Sequence, residues 1–424
     1  MRDVIVIGGG PAGSTAATLL AQQGFSVTLL ERERFPRFQI GESLLPYNND
    51  LFERLGVTED IACGESVPKY GAYFVTGDGQ ASAGFRFDQR LTDPYRRSFQ
   101  VKRAEFDHLL LRNAAKHGVE VREETPVTSV DISNPEKVVV NGDLEARFVI
   151  DASGHHSIVG CKIGGKSDVE SLKKVAFFAH YKNVPRAEGK DGGSTIIVVL
   201  RNAWFWLIPV TNELTSVGLV VDRDHYVQCG LQPQELLERT IAGSSWVAEK
   251  MKDAERVTQI HARKDFSFRM ETIAGPNFAL IGDAAGFLDP IFSTGVFMAM
   301  KSADIASAAA AARLRTGSMT ALNQYQREFT RGLDKYLRFI EYFYDREFLE
   351  VFFNPTERFG LLQAIVGVLA GNIFARHDNR FRLALFFFLV KLQKWRGVIA
   401  PRIAWETLPA AASATATLRP DLWT

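Results

Sequence analysis

The chain has few of the features that mark secreted, metal-binding or nucleic-acid-binding proteins. It contains three cysteines in 424 residues, Cys63, Cys161 and Cys229, which are too few for a disulfide framework and too widely spaced for a metal motif. Lys and Arg number 50 against 49 Asp and Glu, so the net charge of +1 offers no basic excess for nucleic-acid phosphates or a membrane surface. These scarcities predict a cytoplasmic protein that acts on small molecules, with no metal site and no nucleic-acid partner.

Long apolar runs are also missing. Two stretches near the C-terminus, Leu361–Phe374 and Leu383–Val390, fall short of the roughly 20 residues that a membrane-spanning helix requires. They predict buried helices; the alternative is a surface amphipathic anchor with Phe386, Phe387 and Phe388 facing lipid. The N-terminal MRDVIVIGGG passes directly into a strand and a glycine turn, so no signal peptide is expected.

A glycine-rich turn follows the first predicted strand. After the buried-strand pattern Val4–Ile7, the residues Gly8, Gly10 and Gly13 open an alanine- and leucine-rich helix, and a second strand then ends at Glu31. In such a unit the glycines let a pyrophosphate approach the backbone at a helix N-terminus, while the acidic residue accepts hydrogen bonds from the ribose. The unit predicts a dinucleotide site and leaves the dinucleotide open.

Three further segments resemble the FAD-binding motifs of the flavoprotein hydroxylase superfamily. Asp283 belongs to a Gly-Asp pair after an apolar strand, Arg103 opens an Arg-x-x-x-Asp-x-x-Leu helix, and Val149–Gly154 is similar to a third strand-end motif. The resemblance implies that Asp283 binds FAD hydroxyl groups and that Arg103 lies near the FAD phosphates. The alternative for Arg103 is a plain ion pair with Asp107 across one helical turn.

These motifs are scattered along the chain, which predicts interleaved domains. We expect an α/β fold in which a Rossmann-type FAD-binding domain of the glutathione reductase and hydroxylase type is interleaved with a mostly antiparallel β-sheet substrate domain, followed by C-terminal helices. The FAD-binding domain is assigned residues 1–66, 98–171 and 265–320, the substrate sheet residues 67–97 and 172–264, and the helical region residues 321–424.

The segment WFWLIP places Trp204 and Trp206 one residue apart, shortly before Pro209. On a strand these two side chains point to the same face, so they would form one wall of aromatic rings, with Pro209 ending the strand. Ordinary core packing is the alternative for such a pair.

Three separated motifs resemble those of the flavin-dependent halogenases. WFWLIP matches their W-x-W-x-I-P signature, Phe287–Gly295 matches F-x-x-P-x-x-S-x-G, and Lys69 stands in a K-x-G motif that follows a Gly-Glu-Ser segment. The chain is similar to the branch of that family that acts on phenols and pyrroles.

The resemblance implies that reduced FAD and O₂ convert chloride or bromide to hypohalous acid, which halogenates an electron-rich phenolic or pyrrolic ring. Lys69 is the expected catalytic residue, either as an ammonium that hydrogen-bonds hypohalous acid or as a neutral amine that forms a chloramine. An ordinary surface lysine is the alternative. Halide is expected near the backbone N–H groups of Thr294 and Gly295, where the start of a helix attracts an anion.

The remaining implied residues form a wall and a cofactor site. Trp204, Trp206 and Pro209 are expected to keep substrate away from the flavin, and residues 37–46 are expected to form a strap between the two compartments. The expected FAD contacts are Gly8, Gly10, Pro11, Ala12, Gly13, Glu31, Arg32, Ile40, Gly41, Glu42, Ser43, Arg103, Val127, Asp283, Pro290, Gly295 and Val296. The expected partners are a separate flavin reductase and a small aromatic substrate, either free or tethered to a carrier protein.

One departure from the family pattern bears on the substrate. Phe292 stands where tryptophan halogenases have a glutamate before Ser-Thr-Gly, so tryptophan is not the expected substrate. Two rival functions stay open: an aromatic monooxygenase of the same superfamily, and a polyprenyl or quinone reductase that only the Phe-rich C-terminus favours. The general base for a phenol is also open, with the candidates His155, His156, Asp289 and Glu347.

Overall fold

The computed structural model describes residues 1–264, 267–374 and 379–404. They divide into two compact units, each assembled from three stretches of chain. The first unit comprises Met1–Gly64, Val101–Val169 and Ser267–Tyr336, and the second comprises Glu65–Gln100, residues 170–264 and the described residues from Leu337 onward. The helices after Leu337 therefore belong to the second unit, together with the predicted substrate sheet, whereas the sequence assigned them to a region of their own.

A parallel sheet forms the centre of the first unit. Its neighbouring parallel strands are, in order, Phe278–Leu280, Leu144–Asp151, Arg2–Ile7, Val27–Leu30 and Glu120–Arg122. Ala274–Gly275 adds an antiparallel edge, and Lys137–Val140 and Val130–Asn134 extend antiparallel from Leu144–Asp151. Val4–Ile7 and Val27–Leu30 are buried along their whole length and apolar apart from Thr28, as expected where helices cover a parallel sheet on both faces.

Helices and a small sheet complete this unit. The helices are Pro11–Ala21, Asn49–Leu55, Thr58–Cys63, Arg103–Lys116, Ile158–Ile163, Gly295–Thr316 and the first part of Thr320–Phe343. Pro11–Ala21 contacts both Arg103–Lys116 and Gly295–Thr316. The small sheet consists of Lys166–Asp168, Phe268–Met270 and Gly286–Phe287.

A mostly antiparallel sheet forms the second unit, as the sequence predicted. Its strand order is Glu255–Arg256, Lys174–Lys182, Thr215–Asp222, Ala203–Pro209, Thr195–Val199, Gly71–Thr76 and Ser82–Arg86, with His261–Lys264 also paired to Lys174–Lys182. The pair Thr195–Val199 and Gly71–Thr76 is parallel. A separate two-stranded sheet pairs Val67–Lys69 with Ser98–Gln100.

The two faces of this sheet carry different residues because side chains alternate along each strand. One face contributes Phe177, Phe205 and Leu219 to an apolar core with the helices Arg223–Cys229, Pro233–Gly243 and Ser245–Met251. The opposite face carries the two tryptophans of WFWLIP. We call this opposite face, with Phe74, Phe178, Trp204 and Trp206, the aromatic face.

The C-terminal helices differ in detail from the predicted ones. The helical region begins with two helices, Thr320–Phe343 and Arg346–Phe352, which are separate because Asp345 takes an extended backbone conformation between them. The helices Leu361–Ala370 and Arg380–Arg396 follow. The second apolar run was predicted to form a buried helix; its helix buries Phe386, Phe387 and Val390 but leaves Phe388 exposed. None of the helices among the described residues is both long and apolar enough to cross a bilayer.

Candidate active site

The glycine turn of the first unit has room for backbone only. A Cβ atom on Gly8, where φ is +101°, would lie 2.4 Å from the carbonyl oxygen of Ala152. A Cβ atom on Gly13 would lie 1.9 Å from the carbonyl oxygen of Gly8. The helix that begins at Pro11 can therefore start directly at the strand ends, which is the cradle that a dinucleotide pyrophosphate requires.

Glu31 directly follows the second strand, Val27–Leu30, and is buried. Its carboxylate accepts hydrogen bonds from the backbone N–H groups of Gly9, at 2.6 Å, and Glu33, at 2.8 Å. Arg32 is exposed beside it, and Val127 is half-buried in the loop that follows Glu120–Arg122. The predicted FAD contacts of these three residues stay predictions.

Arg103 makes the ion pair that was the alternative to a cofactor role. Its guanidinium donates to both oxygens of Asp107, at 2.8 and 2.9 Å, and also to the carbonyl oxygen of Ile40 at 2.6 Å. Arg37 contacts the same Asp107 carboxylate at 3.2 Å. The helix Arg103–Lys116 is thereby tied to the start of the predicted strap, residues 37–46.

The carboxyl groups of the other FAD motifs lie near Arg103. Burial opposes the charged guanidinium, yet the carboxylates of Asp107, Asp283 and Glu42 together raise the pKa of Arg103. Burial also raises the pKa of Asp283, against the opposing charges of His155, whose Nδ1 is 3.4 Å from Asp283 Oδ2, and Arg103. The Gly-Glu-Ser, Arg-helix and Gly-Asp motifs thus meet in one place.

The segment Phe287–Gly295, which matches F-x-x-P-x-x-S-x-G, leads into the long helix Gly295–Thr316. Pro290–Phe292 forms one turn of 3₁₀ helix, Ser293 has a positive φ of 57°, and Thr294 precedes the helix. The buried Asp289, one of the four candidate bases, accepts a hydrogen bond from the Ile291 N–H. Its carboxylate therefore caps the 3₁₀ turn Pro290–Phe292. The two backbone groups predicted to bind halide therefore lie at the positive end of a 22-residue helix.

Lys69 lies in the interior of the second unit. It is 2% exposed, so the surface alternative is wrong, and its Nζ is 5.7 Å from the centroid of the Phe87 ring. Burial lowers the pKa of Lys69 to about 7.

Two glycines fix the backbone around Lys69. A Cβ atom on Gly71, the glycine of K-x-G, would lie 2.5 Å from the carbonyl oxygen of Phe85. A Cβ atom on Gly193 would lie 1.9 Å from the carbonyl oxygen of Pro68, and Gln100 Nε2 also donates to the Gly193 carbonyl at 3.1 Å. Gly193 was not predicted, because nothing in the neighbouring sequence marks a glycine as the partner of a distant strand.

The aromatic face is built row by row across the sheet. One row of paired positions across the sheet consists of Phe74, Ile197, Trp206, Gly218 and Phe178. The four side chains of this row point to the same side of the sheet, and Gly218 leaves a gap among them. The Trp204 and Trp206 ring centroids are 5.9 Å apart.

Hydrogen bonds fix the orientation of both indoles. The Trp204 N–H donates to the Tyr344 hydroxyl at 3.0 Å, and the Trp206 N–H donates to Ser216 Oγ at 3.1 Å. Both rings are also almost fully buried. The pair therefore packs in the core and at the same time lies on one face of the sheet as adjacent aromatic rings.

Gly218 makes room for Trp206. A Cβ atom at this position would lie 2.1 Å from Trp206 Cζ2. We therefore expect Gly218→Ala to displace the indole and to lower the free energy of unfolding by about 1–3 kcal/mol, the usual cost of overpacking a core.

Thermal unfolding and tryptophan fluorescence of Gly218→Ala test this expectation. Gly84→Ala is the matched control, because the nearest atom to its added Cβ, on Tyr73 of the same sheet, is at an ordinary 3.7 Å. Equal unfolding temperatures and spectra for the two variants would contradict the close contact.

Comparison with known proteins agrees with the motifs. Residues 1–339 match the family model for an FAD binding domain. A 1H-pyrrole-2-carbonyl-[peptidyl-carrier protein] chlorinase of Pseudomonas fluorescens is 30% identical over 398 residues, which cover 86% of this chain and 89% of the relative. A 1H-pyrrole-2-carbonyl-[peptidyl-carrier protein] brominase of Pseudoalteromonas luteoviolacea is 34% identical over 311 residues, 70% of this chain and 74% of that relative.

A solved structure extends the similarity to the fold. The flavin-dependent brominase Bmp2 superposes with a TM-score of 0.83 at 29% identity, over 93% of this chain and 99% of the brominase. The match therefore includes the α/β fold, both sheets and the C-terminal helices. The chain belongs to the FAD-binding flavoproteins and, among them, to the flavin-dependent halogenases.

Proposed function

We propose that this halogenase transfers chlorine or bromine to an electron-rich pyrrolic or phenolic ring and that Lys69 is its catalytic residue. The observation that carries the proposal is the buried amine of Lys69, which lies beside the Phe87 ring and has a pKa of about 7. Perturbed ionisable groups in dry surroundings are typical of catalytic positions.

The first unit would hold FAD through residues that fit its parts. The glycine turn at Gly8–Gly13 suits the pyrophosphate, and Arg103 and Asp283 suit the phosphates and hydroxyl groups. Reduced FAD bound there would, together with O₂, supply the oxidant that converts halide to hypohalous acid. The helix start at Thr294 and Gly295 supplies the positive potential that an anion such as chloride or bromide requires.

Lys69 would then deliver the halogen to carbon. At neutral pH a substantial fraction of its amine is uncharged, because burial disfavours the ammonium form. A neutral amine has a lone pair that can accept halogen from hypohalous acid and release water. This favours the chloramine role over the hydrogen-bonding role. The Trp204 and Trp206 rings, fixed by their hydrogen bonds, would form the wall that limits where substrate can lie.

Within this proposal, we favour a pyrrole bound to a carrier protein as the substrate. The pyrrole chlorinase and brominase, whose names specify a carrier-bound pyrrole carbonyl, are similar over 86% and 70% of the chain. A free phenol is the alternative form. In either case a separate flavin reductase would supply the reduced FAD.

The proposal is tested by supplying reduced FAD, O₂ and bromide with pyrrole-2-carbonyl-loaded carrier protein, free pyrroles and free phenols. We expect a brominated product, detected by mass spectrometry as the bromine isotope pair, on one of these rings. Insertion of oxygen without halogen would instead identify an aromatic monooxygenase. Turnover of pyrrole only when it is loaded on the carrier would establish the tethered form.

A further inference from the structure

Exposed aromatic side chains are concentrated on one helix of the second unit. Phe381, Phe388 and Trp395 are 78%, 59% and 73% exposed on the helix Arg380–Arg396. They are spaced by seven residues, which is close to two turns, so they form one stripe about 21 Å long. We call these three residues the aromatic stripe; Val398, just past the helix, is also exposed.

The opposite side of this helix anchors it to the unit. Phe386, Phe387, Val390 and Gln393 are buried, and Gln393 Nε2 donates to Glu350 Oε2 at 2.7 Å. The helix is therefore held from its inner side while the aromatic stripe projects outward. The sequence placed a possible anchor at Phe386–Phe388, and the structure places the outward aromatic residues at a different set of positions.

Positive charge accompanies the stripe. Between Asn379 and Ala404 the sequence has six cations and no Asp or Glu, although the whole chain is nearly neutral. The cations are Arg380, Arg382, Lys391, Lys394, Arg396 and Arg402. Among them, Lys394 Nζ lies 3.6 Å from the carboxylate of Asp345.

We infer that the helix Arg380–Arg396 is a docking surface for an anionic lipid bilayer, in which the aromatic stripe enters the interface and the flanking cations contact lipid headgroups. A helix with Phe and Trp on one face and Lys and Arg beside them has the composition of an interfacial helix. The net charge of +1 conceals this local excess, which is why the composition argued against a membrane surface.

Charge and shape favour this occupant over a second copy of the chain. Pairing two such helices through their stripes would bring two basic surfaces together without an acidic residue in either segment to offset them. The rings of the stripe also stand out from the helix surface, with 59–78% of each residue exposed, which suits insertion among lipid headgroups.

Co-sedimentation of the full-length holoenzyme with vesicles tests the inference. We expect binding to vesicles of phosphatidylcholine and phosphatidylglycerol at 3:1, and binding at least tenfold weaker to pure phosphatidylcholine or at 0.5 M salt. The double variant Phe388→Ser with Trp395→Ser should lose more than tenfold in partitioning. Its FAD absorbance spectrum and halogenation of a soluble ring should be unchanged, which separates this test from the proposed function.

Val227→Ser with Val257→Ser is the matched control, since both residues are exposed apolar positions of the same unit, at 49% and 41%. It should bind vesicles as the parent does. Three results would overturn the inference: no binding of the parent to anionic vesicles, a parent dimer that the stripe substitutions dissociate, or capture by an acidic carrier protein with no vesicle binding.

Discussion

Lys69→Ala is expected to reduce halogenated product by roughly 10³-fold or more, because the variant lacks the amine that would carry the halogen and loss of a covalent nucleophile can cost up to about 10⁶-fold in turnover. The substitution removes the buried amine and leaves the residues of the glycine turn, Arg103 and Asp283 in place, so FAD should bind with unchanged affinity. Lys69→Met tests the same loss with a side chain of similar length that suits an apolar site. Both variants should still consume O₂ when supplied with reduced FAD.

The pH profile identifies which form of Lys69 acts. With a pKa of about 7, roughly a tenth of the amine is neutral at pH 6 and roughly nine tenths at pH 8. If the neutral amine carries the halogen, product formation rises over this interval; if the ammonium acts as a hydrogen-bond donor, it falls.

Lys174→Met is the control for loss of a buried lysine. Lys174 is also almost buried in the second unit, but it pairs with Asp222. This variant should keep most of the activity and the same pH profile. Full halogenation by Lys69→Ala, with Lys174→Met equally active, would remove Lys69 from the mechanism.

Gly193→Ala is expected to lower halogenation by about 10²-fold, the effect of displacing a catalytic group by about 1 Å. Its new Cβ would lie 1.9 Å from the Pro68 carbonyl oxygen, so the strand Val67–Lys69 has to move. Gly193 is a positioning residue, and its substitution should change the turnover number and the apparent pKa of the pH profile. FAD affinity should stay the same, because the predicted FAD contacts lie outside this segment.

Gly84→Ala is again the control, because its added Cβ would make only an ordinary 3.7 Å contact, with Tyr73 in the large antiparallel sheet of the same unit. An unfolding temperature for Gly193→Ala close to that of Gly84→Ala would separate loss of positioning from loss of stability. Unchanged turnover and pH profile in Gly193→Ala would show that the approach to Pro68 does not position Lys69.

The sequence predicted those parts of the fold that depend on residues close together in the chain. The turn at Gly8–Gly13 was predictable because a buried strand, three glycines and a helix start stand side by side in the chain. The Trp204 and Trp206 rings were placed on one face by strand alternation alone, and the register confirms this. The halogenase family was predicted from three motifs and is confirmed by the comparisons.

The features that were missed depend on distant residues. Gly193 and Gly218 have no local signature, because the Pro68 carbonyl and the Trp206 indole that exclude a side chain come from other strands. The break between the helices Thr320–Phe343 and Arg346–Phe352 was not predicted, because the apolar pattern continues across it and only Asp345 takes an extended conformation. The burial of Lys69 also needs the surrounding sheet, since a lone lysine in a sequence is usually exposed.

The division of each unit among three stretches of chain has a consequence for biosynthesis. The strand Phe278–Leu280 pairs with residues 149–151, so that edge of the parallel sheet stays open until more than a hundred further residues have left the ribosome. An unpaired strand edge is a template for wrong pairing, and slow non-local closure prolongs its exposure. We therefore expect a nascent chain of this architecture to give more folded protein with added chaperones or at a low growth temperature, and fragments cut between the units should not fold.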